Sequence, residues 1–344
     1  MIELNEDRLE FSFPEVHPEA RLTIEFQRTL RIPDDDRAYS LPPGLGSFEL
    51  CHVDDHAANV PAQWIKRGGV MLPMYQSEAM WLNFDSETIS GHDVSYPFAI
   101  KIATGKQCAI SGQGWREGLC ANPQDYVVAP EQPWLDGFVV EKGIIRQFVA
   151  MPLGSGYSAE EQITGKAEHG GLQIAVYPMK REAFEKRFPK QPPRDSVKMM
   201  ADMSMDCCYS MAEPAMGIAP GGRMKQEIYD DPYDMKDWAT DVSSRCFVHL
   251  CNSMVWQSIT GSLPHHPAPT AKRYTDAGLP WFEYYDETLN AVKATSVLSG
   301  LQSIWHKATK TGEKPLPENE SVNPSNVTTY QKSLVPGQVR EGQF

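Results

Sequence analysis

The chain has 344 residues, of which 41% are hydrophobic, and a formal net charge of −13. That is enough apolar material for a large core, while an acidic surface argues against nucleic acid as a partner. The 7 cysteines are odd in number and irregularly spaced, with no CxxC pair, which argues for reduced thiols and against a disulfide framework or a zinc ribbon.

The N-terminal run MIELNEDRLEF is charged and offers no apolar signal segment, and no stretch approaches the roughly 18 apolar residues that span a bilayer. The expectation is a soluble, cytoplasmic protein without a membrane span. Leu22, Ile24 and Phe26 alternate with polar residues, the period-two pattern of a half-buried strand. Residues 48–53 read as a short strand, 61–66 as one helical turn opened by Pro61, and 70–84 as extended chain. Two hairpins follow. One joins 97–103 to 108–110 around TGKQ, and the other joins 138–140 to 144–151 around a loop ending in Gly143. After a strand at 172–177, the spacing predicts a helix over 179–188, with Ala183, Phe184 and Phe188 on one face. The Met-rich passage 190–222 reads as irregular apart from a short helix over 196–205. Strands at 223–229 and 246–252 come next, then a helix capped by Asn252 or Ser253 and closed by Gly261. A rigid, extended linker LPHHPAP, a helix opened by Thr270 and an aromatic strand or turn over 280–287 complete the folded part.

From His306 onward the sequence is polar and Pro-interrupted, the composition of an arm that is disordered when free. The predicted fold is α+β and β-rich, with hairpins forming a sandwich or barrel-like sheet and a few short helices, mostly after residue 178. It divides into a β-rich core region (1–189), an α+β subregion packed on it (190–305) and an extended polar arm (306–344).

No GxxxxGK[ST], GxGxxG, GxSxG or HExxH motif is present. The passage 152–171 is a long connection between two apolar runs, with Gly154-Ser155-Gly156 near one end and Gly170-Gly171 at the other, and connections of this length usually serve as lids, binding loops or interfaces. Within it Glu160, Glu161, Glu168 and His169 could supply a general acid and base, with Arg146 on the strand leading in as an anion clamp. The bland alternative is a solvated charged loop. His52 and His56 flank Val-Asp-Asp and could ligate a metal with those carboxylates, or they sit on a capped turn. Cys207 and Cys208, among methionines, offer soft ligands suited to copper, or the methionines simply fill irregular packing. No cofactor is predicted, and copper or another metal stays open. His249 reads as a core histidine bonded to backbone, and His265-His266 as exposed linker.

The passages QDYVVAPEQPWLDG (124–137), RQFVAMPLGSGYSAEEQITG (146–165), GGLQI (170–174), APGGRMKQEIYDDPY (219–233) and DAGLPWFEYYDE (276–287) resemble an uncharacterised family of bacterial and fungal proteins. The resemblance implies no activity and no catalytic residue. It makes the 152–171 loop a family feature and leaves the segment after His306 outside the family pattern. Two function classes follow. One is a self-assembling homo-oligomer or protein-interaction protein that uses the loop and the arm for contacts. The other is an enzyme acting on a small polar substrate, metal-assisted or not, with the loop as lid.

Overall fold

The structure, a computed structural model, describes residues 1–92, 94–190, 215–286, 288–314 and 320–331. In chain order the strands are Ile2–Asn5 (β1), Arg8–Ser12 (β2), Arg21–Thr29 (β3), Ala38–Tyr39 (β4), Gly44–Ser47 (β5), Cys51–His52 (β6), Val70–Met74 (β7), Ala79–Ser86 (β8), Phe98–Thr104 (β9), Gln107–Cys108 (β10), Val127–Ala129 (β11), Trp134–Leu135 (β12), Gly137–Glu141 (β13), Ile144–Pro152 (β14), Leu172–Pro178 (β15), Ala215–Lys225 (β16), Ser244–Asn252 (β17), Trp281–Tyr285 (β18) and Val327–Gln331 (β19). The helices are short: Ala62–Arg67 (α1), Ala159–Thr164 (α2), Arg181–Arg187 (α3), Ser253–Thr260 (α4), Ala271–Asp276 (α5), Ser296–Ser299 (α6) and Ile304–Thr311 (α7).

Strands β1 to β17 join in one large, mainly antiparallel sheet, and β18 pairs with β19 in a separate parallel ribbon. The spine of the sheet runs β1-β2-β3-β8-β14-β16-β17-β15-β9-β11, and it does not close into a barrel. The β-rich α+β fold with few short helices is as the sequence predicts, and both hairpins form, with Gln107 opposite Thr104 and Phe138 opposite Arg146. Strand β3, flanked by β2 and β8, keeps clean alternation, with Leu22, Ile24 and Phe26 fully buried. Strands β9 and β15 are buried at every position and read as continuous apolar runs. Lys101, mid-β9, is the charged exception in these runs, beside the neutral Thr104 and Gln173. All three of its ammonium donors are taken, by Asp125 (2.6 Å) and by the carbonyls of Arg116 (2.8 Å) and Gly118 (2.9 Å).

Three features depart from the sequence reading. Strand β16 begins at Ala215, inside the passage expected to be irregular, and it pairs with β14 through Pro152↔Met216. Ala219-Pro220-Gly221-Gly222 lacks the bulky residues that announce a strand because another segment crosses there. A Cβ on Gly222 would lie 2.3 Å from the Pro33 carbonyl oxygen, and one on Gly221 would lie 2.6 Å from Val149. The fully buried amide of Gln147 fixes that crossing, accepting from Ile32 N (3.1 Å) and donating to Leu30 O (2.8 Å). Second, β16 and β17 lie inside the main sheet, so the boundary at 189/190 separates strands that pair with one another.

Third, the polar arm begins with helix α7. Ser303 caps it, Gly312 closes it at φ +78°, and Ile304 and Ala308 are buried against Met151, Tyr157 and Ala219. Averaging composition over the whole tail hid those two caps. Val322 is also buried, and β19 lies on β18 of the same chain. The 196–205 helix, and the rest of the arm at 315–319 and 332–344, fall outside the described residues. Among the described residues no helix is long and apolar enough to cross a membrane.

Candidate functional site

The 152–171 passage folds around two carboxylates. Ser158 caps α2 by accepting from Glu161 N (3.2 Å), while the Glu161 carboxylate accepts from the backbone N–H groups of Ser158 (3.2 Å) and Gly156 (2.7 Å). Glu160, 3% exposed, accepts from three consecutive backbone N–H groups, those of Glu168 (3.0 Å), His169 (2.8 Å) and Gly170 (2.8 Å). Both carboxylates therefore hold the loop's own backbone. Glu168 is exposed beside Lys166 (3.0 Å). Burial holds the His169 imidazole below its ordinary pKa, and its Nδ1 lies 3.2 Å from the Arg67 guanidinium. Arg146 is buried and engaged elsewhere, by Gly221 O (3.1 Å), Asp34 (3.5 Å) and Asp36 (3.9 Å). The structure thus does not bring Arg146 and the loop carboxylates together through any shared contact.

His52 ends β6, and His56 lies in a separate single turn, Asp54–His56. Among the described residues, no three His, Cys, Asp or Glu side chains converge as a metal site would require. Cys207 and Cys208 fall outside the described residues; Cys51, Cys108, Cys120, Cys246 and Cys251 are free thiols. His249 is the backbone-bonded core histidine of the sequence reading. It lies 3.0 Å from Gly68 O and is stacked on Trp64 and Phe247, and burial lowers its pKa to about 4. His265 is no exposed linker residue. Its Nε2 sits 2.9 and 3.0 Å from the two oxygens of buried Glu78, which also pairs with Arg28 (3.4 Å), and the rings of Phe48 and Tyr75 pack edge-on to it. This pair ties the Pro-rich 263–269 linker onto the end of β3 and β8. The adjacent cavity, about 100 Å³, is small.

The roomier apolar site lies between the outer face of the main sheet and the β18–β19 ribbon, a cleft of about 290 Å³. Alternation builds it. In β8, Met80, Leu82 and Phe84 face the core, so Trp81 must face outward. Trp134 and Asp136, two residues apart, share that outer face, with Leu135 fully buried between them. From the ribbon come Phe282 and Tyr284, again two apart, and Tyr330, which pairs opposite Tyr284 and stacks on Phe282 with centroids 6.0 Å apart. Trp134 meets Tyr284 edge-to-face at 4.9 Å. Gly44 roofs the Trp81 ring, where a Cβ would come within 3.3 Å of it. Glu283, pointing to the ribbon's other face, pairs with Lys225 (2.7 Å), which keeps that charge pair away from the cleft.

At the cleft Asp136 is 3% exposed. Its Oδ2 accepts from Gln226 Nε2 (2.7 Å), and Gln226 Oε1 accepts from Asp136 N (3.1 Å), so the amide's orientation is fixed from both sides. Burial raises the Asp136 carboxyl to a pKa of about 7, with the Gln226 bond opposing. Of these cleft residues the sequence offers only Tyr330, as an anchor of the extended arm, and none as part of a ligand site. The available signal was outward-facing aromatics at period two: Trp81 in MWLNF, the W-x-D of PWLDG and the F-x-Y of WFEYY.

No protein-family model matches this chain, and neither a curated protein nor a solved structure matches it at a significant level.

Proposed function

We propose that the protein is a binding protein that takes a small organic ligand in the aromatic cleft. The observation that carries this reading is the cleft itself. Five aromatic side chains from two separate sheets meet around one buried carboxyl, on a sheet face where strands ordinarily place polar residues. The loop expected to act as a lid or acid–base site supports this choice indirectly, because its buried Glu160 and half-buried Glu161 carboxylates are occupied by backbone N–H groups. Ligands found by thermal shift against wild type are expected to bind Trp134→Ala at least roughly tenfold more weakly, from lost ring contact and buried area. Titration by tryptophan fluorescence or calorimetry measures this, and undiminished affinity in Trp134→Ala would remove the cleft from the binding site.

Self-association through the arm is a second reading. The observation favouring it is that Val327 (41%) and Tyr330 (55%) are exposed on the outer strand of a two-stranded ribbon, the kind of edge to which a second copy could add. Removing residues 327–344 is expected to lower the native mass measured by light scattering, and an unchanged mass would end that reading.

A further inference from the structure

We infer that the cleft recognises an organic cation, an alkylammonium whose charge is met by Asp136 and whose alkyl groups lie against the surrounding rings. This rests on the cleft being the ligand site.

The first argument is the company that buried carboxylates keep elsewhere in this chain. Asp34 faces Arg146, Asp125 faces Lys101, Asp237 faces Arg187, and Glu78 faces Arg28 and His265. Glu160 has three backbone N–H groups in place of a cation, and Asp286 accepts from both the N–H (3.0 Å) and the hydroxyl (2.5 Å) of Thr288. Asp136 is as buried as these, yet no Lys, Arg or His lines the cleft, and its only side-chain partner among the described residues is a neutral amide. Burying a carboxylate without a positive partner is costly, and a ligand cation supplies that partner.

The second argument is what the walls favour. Trp81, Trp134, Phe282, Tyr284 and Tyr330 present ring systems whose negative faces attract a cation within about 6 Å of the centroid, and desolvation strengthens the attraction. An anion would meet Asp136 with no basic residue to offset it. A polyhydroxylated ligand needs several hydrogen-bonding partners, and this lining is chiefly rings and the Pro42-Pro43 segment.

The inference makes a proton part of the binding event. The groups around Asp136 are Gln226, which bonds it, and the phenols of Tyr284 and Tyr330; burial holds Tyr284 above its ordinary pKa and therefore neutral. Burial puts the folded-state pKa of Asp136, about 7, above its ordinary value of 3.8, so the empty cleft carries a protonated acid at mildly acidic pH. A cation must displace that proton. Affinity is therefore expected to be level above pH 7 and to weaken about tenfold per unit below it, with one proton released per ligand bound in that range.

The test is calorimetric titration of the full chain between pH 5 and 8. The probes are alkylammonium ions from methylammonium to tetraethylammonium, together with choline and its uncharged isostere 3,3-dimethylbutan-1-ol. The expected result is binding of at least one cation, at least roughly tenfold tighter than the matched neutral compound, with the pH profile above. Asp136→Asn, which keeps an acceptor for Gln226, is expected to lose that preference and flatten the profile. Should that variant not fold, the wild-type pH profile and the isostere comparison decide alone. Equal binding of the neutral isostere, binding that strengthens as pH falls, or no binding by any cation overturns the inference. If neutral ligands bind and Trp134→Ala abolishes them, the cleft remains the ligand site and only the cation is wrong. If binding is indifferent to Trp134, the cleft itself is wrong.

Discussion

Glu160→Ala is expected to destabilise the protein by about 3 kcal/mol, because it strips the acceptor from three buried or half-buried backbone N–H groups at once. Each buried donor left unsatisfied costs about 1–3 kcal/mol, and water reaching the half-exposed His169 end recovers part of that sum. The side chain cannot be replaced from the neighbouring β9–β10 turn. Gly105 sits against it, and a Cβ there would lie 2.3 Å from Oε2. Glu160→Gln keeps the oxygen that serves Glu168 and His169 but turns an N–H toward Gly170 N–H, so a loss of about half the alanine effect is expected. Urea unfolding measures the magnitude, and hydrogen exchange should show the loss of protection concentrated at residues 168–171. A variant of unchanged stability that instead lost a chemical activity would return Glu160 to an acid–base role.

That result bears on what a sequence can reveal about such a loop. Ser158-Ala159-Glu160-Glu161 carries the S-x-x-E signature of a capping box, so the role of Glu161 was open to a local reading. The role of Glu160 was not, because its partners lie 8 to 10 residues on and depend on how the chain returns through the Gly170-Gly171 doublet, both at positive φ. The same division runs through the fold. Period-two strands, the two hairpins and the caps at Asn252 and Thr270 are local patterns, and they form where the sequence places them. Only the end of strand β16 falls within the strand expected at 223–229, and its first part is hidden because Gly221 and Gly222 answer to the close approach of Ile32 and Pro33 rather than to strand propensity. His265 escaped notice because nothing in a Pro-rich linker points to Glu78, 187 residues away. The cleft is the extreme case. Its rings come from β8, β12, β18 and β19, and Asp136 is held by a glutamine 90 residues distant. Each piece was visible as an aromatic on the wrong side of a half-buried strand, but their convergence is a property of pairing order.

Arg146→Met is expected to cost about 3–5 kcal/mol, the range for removing one partner of a buried ion pair and leaving the other uncompensated. The Asp34 side chain is fully buried, with one oxygen 3.5 Å from Arg146 and the other accepting the Trp305 N–H (2.9 Å) at the first turn of α7. The arginine thus joins strand β14 to the start of the C-terminal helix and also satisfies the Gly221 carbonyl (3.1 Å) beside the glycine crossing. Burial pulls the Arg146 pKa down and Asp34 opposes that shift, the balance of a desolvated cation held by its counter-ion. Methionine fills similar space but provides neither charge nor donors. Adding Asp34→Asn to the methionine variant removes the stranded charge and keeps an acceptor for Trp305, so about half of the lost stability should return. Chemical unfolding of the two single variants and the double variant gives the coupling directly, and ligand titration of the same proteins separates structure from recognition. If Arg146→Met unfolds at the wild-type denaturant midpoint but loses affinity for an anionic ligand, the arginine is a clamp after all, and the ion pair with Asp34 is incidental.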